Sequence, residues 1–169
     1  MNSFWQQLEQ LSLKLTPAVL TTFMVLLTTV PFRLPGINEI MPSFLFINIY
    51  YWGVFYPGIL PYGFLFVLGL LQDTLGGTPL GVCSLVNLVA AFLLTTERRV
   101  LGKMLFGSVW FGFAVFLCFA TLLQWGVMSI YFAKLLPIRS HLLQYCTTCL
   151  AYPLMHIVLT WVYRRIHQL

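Results

Sequence analysis

The chain has 169 residues and a formal charge of +5, yet it is 60% hydrophobic and only 8% charged. A soluble domain carries roughly 25% charged residues, so this composition excludes one and points to an integral membrane protein. Nine Lys and Arg, scattered along the chain, are too few for a nucleic-acid surface and read as topology signals.

The expected architecture is all-α, a single polytopic membrane domain over 1–169 with about six transmembrane helices. Residues 1–10 form a short polar head in which Trp5 suits an interfacial anchor. Glu9 and a lone Lys14, with no small-residue cleavage site close behind the first apolar run, argue against a cleavable signal peptide. The first span covers 11–32, with a helix start available at Thr16-Pro17. Arg33, Pro35, Gly36 and Asn38 then make a turn.

The second span is 40–56, with Pro42 near its start and an aromatic end of Tyr50, Tyr51, Trp52, Phe55 and Tyr56. Pro57-Gly58 and Pro61 separate it from a third span at 58–72. Read as one, these two runs exceed an ordinary crossing of about 20 residues; read as two, each is short. Short helices imply a thin or protein-lined region, or an incomplete crossing. The fourth span is 79–95 and closes before Glu97, Arg98, Arg99 and Lys103. The fifth is long, 104–132, and the sixth is 142–163, followed by Arg164-Arg165.

Lys14, Arg98, Arg99, Lys103, Arg164 and Arg165 fall on one face of this topology, and Arg33, Lys134 and Arg139 on the other. The positive-inside rule then puts both termini in the cytoplasm. A re-entrant pair in place of spans three and four would leave that parity unchanged.

Between spans three and four lies GLLQDTLGGTPLGVCSL, from Gly69 to Leu85. Asp73 is the only acid between Glu39 and Glu97. The pattern predicts a helix–turn–helix corner. Gly76 and Gly77 free the backbone, Thr78 caps the next helix, and Pro79 takes its first position, where no N–H is needed. An ionisable residue in a membrane segment is a functional candidate by default. The alternative is structural: Asp73 accepts backbone N–H bonds in the turn and complements the next helix start. On the structural reading Asn substitutes well for Asp73, because it makes most of the same bonds, and Leu does not.

Gly77, Gly81, Ser84 and Ala91 form a small-residue stripe at helical spacing, with Asn87 beside it. Such a stripe packs against the chain's own helices or against a partner helix, and the sequence leaves both open. On either reading a bulky residue at Gly81 forces the packed helices apart. Asn48, Gln124 and His156 are the other polar groups of the spans, on different helices and without ligand-like spacing. Cys83, Cys118, Cys146 and Cys149 read as buried thiols, and the lone Cys146–Cys149 pair is not a zinc motif. No hydrolase, zincin or P-loop motif is present, so no catalytic residue, metal site or cofactor is expected. Pro153, inside the sixth span, frees a carbonyl that a neighbouring group must satisfy.

The stretch from residue 40 to 94 resembles the rod shape-determining protein MreD family. The resemblance is carried by Pro42, Tyr51, Trp52 and Pro57, then by Gly69, Asp73, Gly77, Leu80 and Gly81 in Gly-x-x-x-Asp-x-x-x-Gly-x-x-Leu-Gly. It implies a fold similar to the membrane-embedded substrate-binding subunits of vitamin (ECF-type) transporters. It also implies a non-enzymatic scaffold in the bacterial inner membrane, supporting peptidoglycan synthesis and rod cell shape. The partners implied are an MreC-like bitopic protein and, directly or through it, MreB, RodA and an elongation penicillin-binding protein, besides membrane lipid. The corner or partner-contact candidates are Asp73, Gly77, Pro79, Gly81, Ser84, Asn87, Tyr51 and Trp52. The alternative function is a small-molecule-binding membrane subunit of a transporter, which requires a pocket of convergent polar groups.

Overall fold

From Leu45 to Trp52 every residue is buried, and Val54 with them. A helix that is apolar on all sides has to be enclosed on all sides, and this one is the centre of the molecule. The computed structural model describes residues 17–27, 41–101 and 106–167. Six helices lie among them: α1 (Pro17–Leu27), α2 (Phe44–Phe55), α3 (Tyr62–Gly76), α4 (Val82–Leu101), α5 (Phe106–Tyr131) and α6 (Ile138–His167). The described residues are all-α, as expected.

Each neighbour meets α2 with a stripe at helical spacing. On α5 the buried residues are Val109, Phe113, Phe116, Leu117, Ala120 and Thr121; on α6 they are Thr148, Tyr152, Met155 and Leu159. Tyr50 stands edge-on to Phe113 and Tyr152, and Phe113 and Tyr152 stack with centroids 4.1 Å apart. Hydroxyls fasten the same contacts. Tyr50 Oη donates to the Val109 carbonyl at 2.8 Å, and Tyr51 Oη lies 3.0 Å from Thr160 Oγ1. In α1, Pro17, Thr21 and Val25 are buried, and Thr21 Oγ1 stands 3.4 Å from Asn48 Oδ1. The α3 stripe of Leu65, Leu68, Gly69 and Asp73 packs on α4.

The helices differ in extent from the expected spans. Two, Gly107–Tyr131 and Ile138–Arg165, are long and apolar enough to cross a bilayer. The apolar stretches Pro17–Leu27, Phe44–Phe55, Tyr62–Gly76 and Val82–Thr95 are shorter. With 12 residues, α2 rises only about 18 Å. It begins after Ser43 and stops at Tyr56, before Pro57 and a left-handed Gly58. In turn, α3 begins only after Pro61. Beyond Thr95, where the fourth span was expected to close, α4 continues through Glu97, Arg98 and Arg99 to Leu101. Those charged residues end the apolar stretch but are good helix formers. Similarly, α6 starts four residues before Leu142 and runs past Tyr163. Of the first expected span, 11–16 and 28–32 lie outside the described residues.

Pro153 sits inside α6 without interrupting it. A proline there removes the bond to the carbonyl four residues earlier, that of Cys149. Trp110 on α5 supplies the replacement: its Nε1–H donates to the Cys149 oxygen at 3.2 Å. Trp110→Phe is therefore expected to cost about 1–3 kcal/mol, because it orphans a carbonyl in a water-poor setting. In a Pro153→Ala background the backbone serves that carbonyl itself, and the cost of Trp110→Phe should fall markedly. Unfolding of the four proteins in mild detergent checks this, and equal costs in both backgrounds would refute the pairing.

Candidate functional site

Asp73 is on the last turn of α3 and is 1% exposed. Its backbone carbonyl accepts the N–H of Gly77, which ends the helix in a left-handed conformation (φ 68°), and the N–H of Thr78 at 3.1 Å. This is a glycine-terminated helix end. Pro79 and Leu80 turn the chain, and Gly81 is left-handed again at φ 97°. The side chain of Asp73 then reaches across the turn. Its Oδ2 accepts the Gly81 N–H at 2.8 Å, and its Oδ1 accepts the Cys83 N–H at 3.1 Å and the Thr78 hydroxyl at 2.7 Å.

Those backbone N–H groups belong to the start of α4, where helical donors have no intrahelical acceptor. A local Ser, Thr, Asp or Asn normally meets them. Here the residue in that position is Gly81, which has no side chain, and a carboxylate from the preceding helix does the work. Its negative charge also suits the positive end of the α4 dipole.

Three expectations about the corner are corrected. Thr78 does not cap α4; its hydroxyl donates to Asp73. Pro79 is not the first helical residue; α4 starts at Val82, and Pro79 only accepts the Val82 N–H through its carbonyl at 3.3 Å. Gly77 and Gly81 do not belong to a packing stripe on α4, because both precede it, and a Cβ on either would touch nothing within 4 Å. They are needed for their backbone angles.

The close helix approach lies one turn away, at Gly69. A Cβ there would fall 2.4 Å from Ser84 Cα and 2.5 Å from Ser84 N. The two helix backbones touch at this point, and Ser84 Oγ donates to the Phe66 carbonyl at 3.0 Å. Ser84 thus packs within the chain. The sequence placed Gly69 in a motif but assigned it no contact; its signal was the spacing Gly69–Asp73, one helical turn on one face.

Residues 10–163 match the family model described as rod shape-determining protein MreD. The chain belongs to the MreD family. No curated protein and no solved structure was found to match it. Membership gives this chain a role in rod-shape determination and, with its two long apolar helices, makes it a membrane protein. The family is one of shape-determining proteins and is not a known family of enzymes.

The other candidates of this MreD-family chain lie apart from the corner. Tyr51 and Trp52 are each 2% exposed and present no surface. Trp52 Nε1 donates to Asn48 Oδ1 at 3.3 Å, and Asn48 Nδ2 donates to the Phe44 carbonyl at 2.8 Å. Asn48 is thereby explained as an internal tie. His156 sits among the rings of Tyr51, Phe55 and Tyr152. Beside Trp52 is a largely apolar cavity of about 410 Å³ between the α2–α3 turn and α4, with Leu65, Ala91 and Leu94 in its walls. Asn87 points elsewhere. It is 1% exposed and shares a small chamber with Gln124, two polar groups that sequence spacing had left unrelated.

The corner geometry orders a set of substitutions. Asn at position 73 offers one oxygen and so serves only one of the two backbone N–H groups, which corrects the expectation from sequence that Asn substitutes well. Asp73→Asn should cost about 1–3 kcal/mol and Asp73→Leu more, measured as unfolding in detergent. Equal stability of the Asn variant and the parent would show that the three-donor cradle does not form.

The two glycines should respond differently to side-chain size. At Gly81 the penalty is conformational, about 1–2 kcal/mol, and Ala and Leu should cost nearly the same. At Gly69 even Ala collides with backbone, so Gly69→Ala should cost about 1–3 kcal/mol and larger residues more. A steep size dependence at Gly81 with none at Gly69 would reverse this assignment.

Proposed function

We propose that this chain is a non-enzymatic, six-span scaffold of the bacterial inner membrane, with both termini cytoplasmic. In this reading it holds an MreC-like bitopic protein and, through it or directly, MreB, RodA and an elongation penicillin-binding protein. Peptidoglycan synthesis is thereby coupled to rod shape. The observation that carries the reading is the use of Asp73. Both oxygens of this buried carboxylate are engaged by the start of α4 and by Thr78. Its chemistry goes into joining two helices, as befits a part that holds other proteins in place.

Several features support the membrane topology. The basic residues are unevenly divided between the two faces, with Arg98, Arg99, Lys103, Arg164 and Arg165 on the proposed inner side. Phe111, Val115, Phe119 and Leu122 give α5 an exposed apolar face suited to lipid. The short α2 fits because protein surrounds it. Its first backbone groups meet α6, where Thr148 Oγ1 accepts the Ser43 N–H at 3.0 Å. The six-helix arrangement is also the basis for the proposed likeness to the substrate-binding subunits of vitamin transporters.

A reporter active only in the periplasm, fused after Leu169, should be silent, whereas a fusion within 77–81 should be active. The reverse pattern would overturn the orientation. Purification in mild detergent should recover an MreC-like single-span protein with the full chain. Recovery of a tightly held vitamin-like molecule without such a partner would overturn the scaffold reading in favour of a transporter subunit.

A further inference from the structure

Five elements converge on a chamber of about 60 Å³ next to the corner. Its polar lining is Ser43 before α2, Gln72 from α3, Cys83 and Asn87 from α4, Gln124 from α5 and Gln144 from α6. The lining carries amides, a hydroxyl and a thiol, but no formal charge. One buried donor of this lining has no protein partner. Asn87 Nδ2 is buried and makes no hydrogen bond, although a buried donor left unmet is costly. Asn48, the comparable buried amide, has its Nδ2 bonded to a backbone carbonyl. Ser129 Oγ, His141 Nδ1 and Tyr152 Oη are also buried without a partner, but of these four groups Asn87 is the one that lines this chamber, and the space beside it is polar.

We propose that this chamber is a binding site for neutral hydroxyl ligands. Its chemistry selects them. Amides present donors and acceptors together, so the occupant must both accept from Asn87 and donate in return, as an O–H group does. The absence of charge disfavours an ion, whose desolvation nothing here compensates. Size limits the ligand to a few waters, or to the hydroxyl end of a polyol headgroup. An occupant bonded to Asn87 and the glutamines ties α3, α4, α5 and α6 together at the end where Asp73 joins α3 to α4. Cys83 is shared by both sites: it lines the chamber, and its N–H is bonded to Asp73.

The test is a crystal structure of the full chain grown from a lipid mesophase without added polyol, together with the stability of Asn87→Leu. Isolated density at about 2.7–3.2 Å from Asn87 Nδ2 identifies water. Density continuing outward into a lipid identifies a lipid hydroxyl, and either supports the site. An empty chamber, or one closed by a glutamine bonded to Asn87, would overturn it. Asn87→Leu replaces the amide with an apolar group of similar size. If the site is occupied, the melting temperature should fall by about 2–4 °C, as for the loss of one buried hydrogen bond. If Asn87 is an orphaned donor, Leu relieves it, and an unchanged or raised melting temperature would count against the proposal. The parent structure decides the matter even if the variant does not accumulate.

Discussion

A buried carboxylate accepting two backbone N–H groups from another helix is a demanding arrangement, and much of this molecule is arranged around it. Asp73 binds Gly81 and Cys83 at 2.8 and 3.1 Å only because α3 and α4 run close together there. They do so because Gly69 has no side chain to hold Ser84 away. The two features depend on each other. Without the close approach the carboxylate does not reach, and without the carboxylate the buried start of α4 has unmet donors. The left-handed angles at Gly77 and Gly81 complete the path between them.

The remaining helices are joined by the same economy of polar contacts. In a chain with so little charge, helix-to-helix bonds come from tyrosine, tryptophan and serine to backbone carbonyls. Tyr50 to Val109, Trp110 to Cys149, Tyr145 to Ala114 and Ser84 to Phe66 are of this kind, and Trp125 likewise ties α5 to the Leu136 carbonyl in the loop before α6. Such bonds suit a membrane setting, where water is not available to satisfy a polar group and apolar contact alone gives helices little reason to prefer each other over lipid. They also fix rotation and register, which a uniformly apolar surface cannot.

That economy bears on function. Many polar atoms of the interior are engaged in joining helices, and the unpartnered buried atoms, Asn87 Nδ2, Ser129 Oγ, His141 Nδ1 and Tyr152 Oη, are few. In the scaffold reading proposed for this MreD-family chain, the protein transmits position rather than performing chemistry. A central helix enclosed on all sides, with a pinned corner at one end, serves that need. Among the described residues no group of three or more His, Cys, Asp or Glu side chains gathers into a metal-binding cluster.

Composition alone determined that this chain is helical and belongs in a membrane, because 60% hydrophobic residues with 8% charged ones leave few other solutions. Local chain chemistry marked the turns at Pro57, Gly58 and Pro61 and at Gly76 and Gly77, because glycine and proline act on their own backbone angles. What the sequence could not decide was which atoms meet across helices. Cap selection for α4 was misread as Thr78 because capping rules describe near neighbours, while Asp73 reaches from eight and ten residues back. The small-residue stripe of Gly77, Gly81, Ser84 and Ala91 contains one side of the intimate contact, Ser84, but not its partner Gly69, and its two glycines make no such contact. Asn87 and Gln124 looked unrelated until α4 and α5 packed, and the donor for the Pro153 gap proved to be Trp110, thirty-nine residues from the carbonyl it serves. Each of these depends on how one helix is rotated against another. That rotation is set by the sum of many weak contacts and a few long-range bonds, and none of it is encoded in the spacing along a single helix.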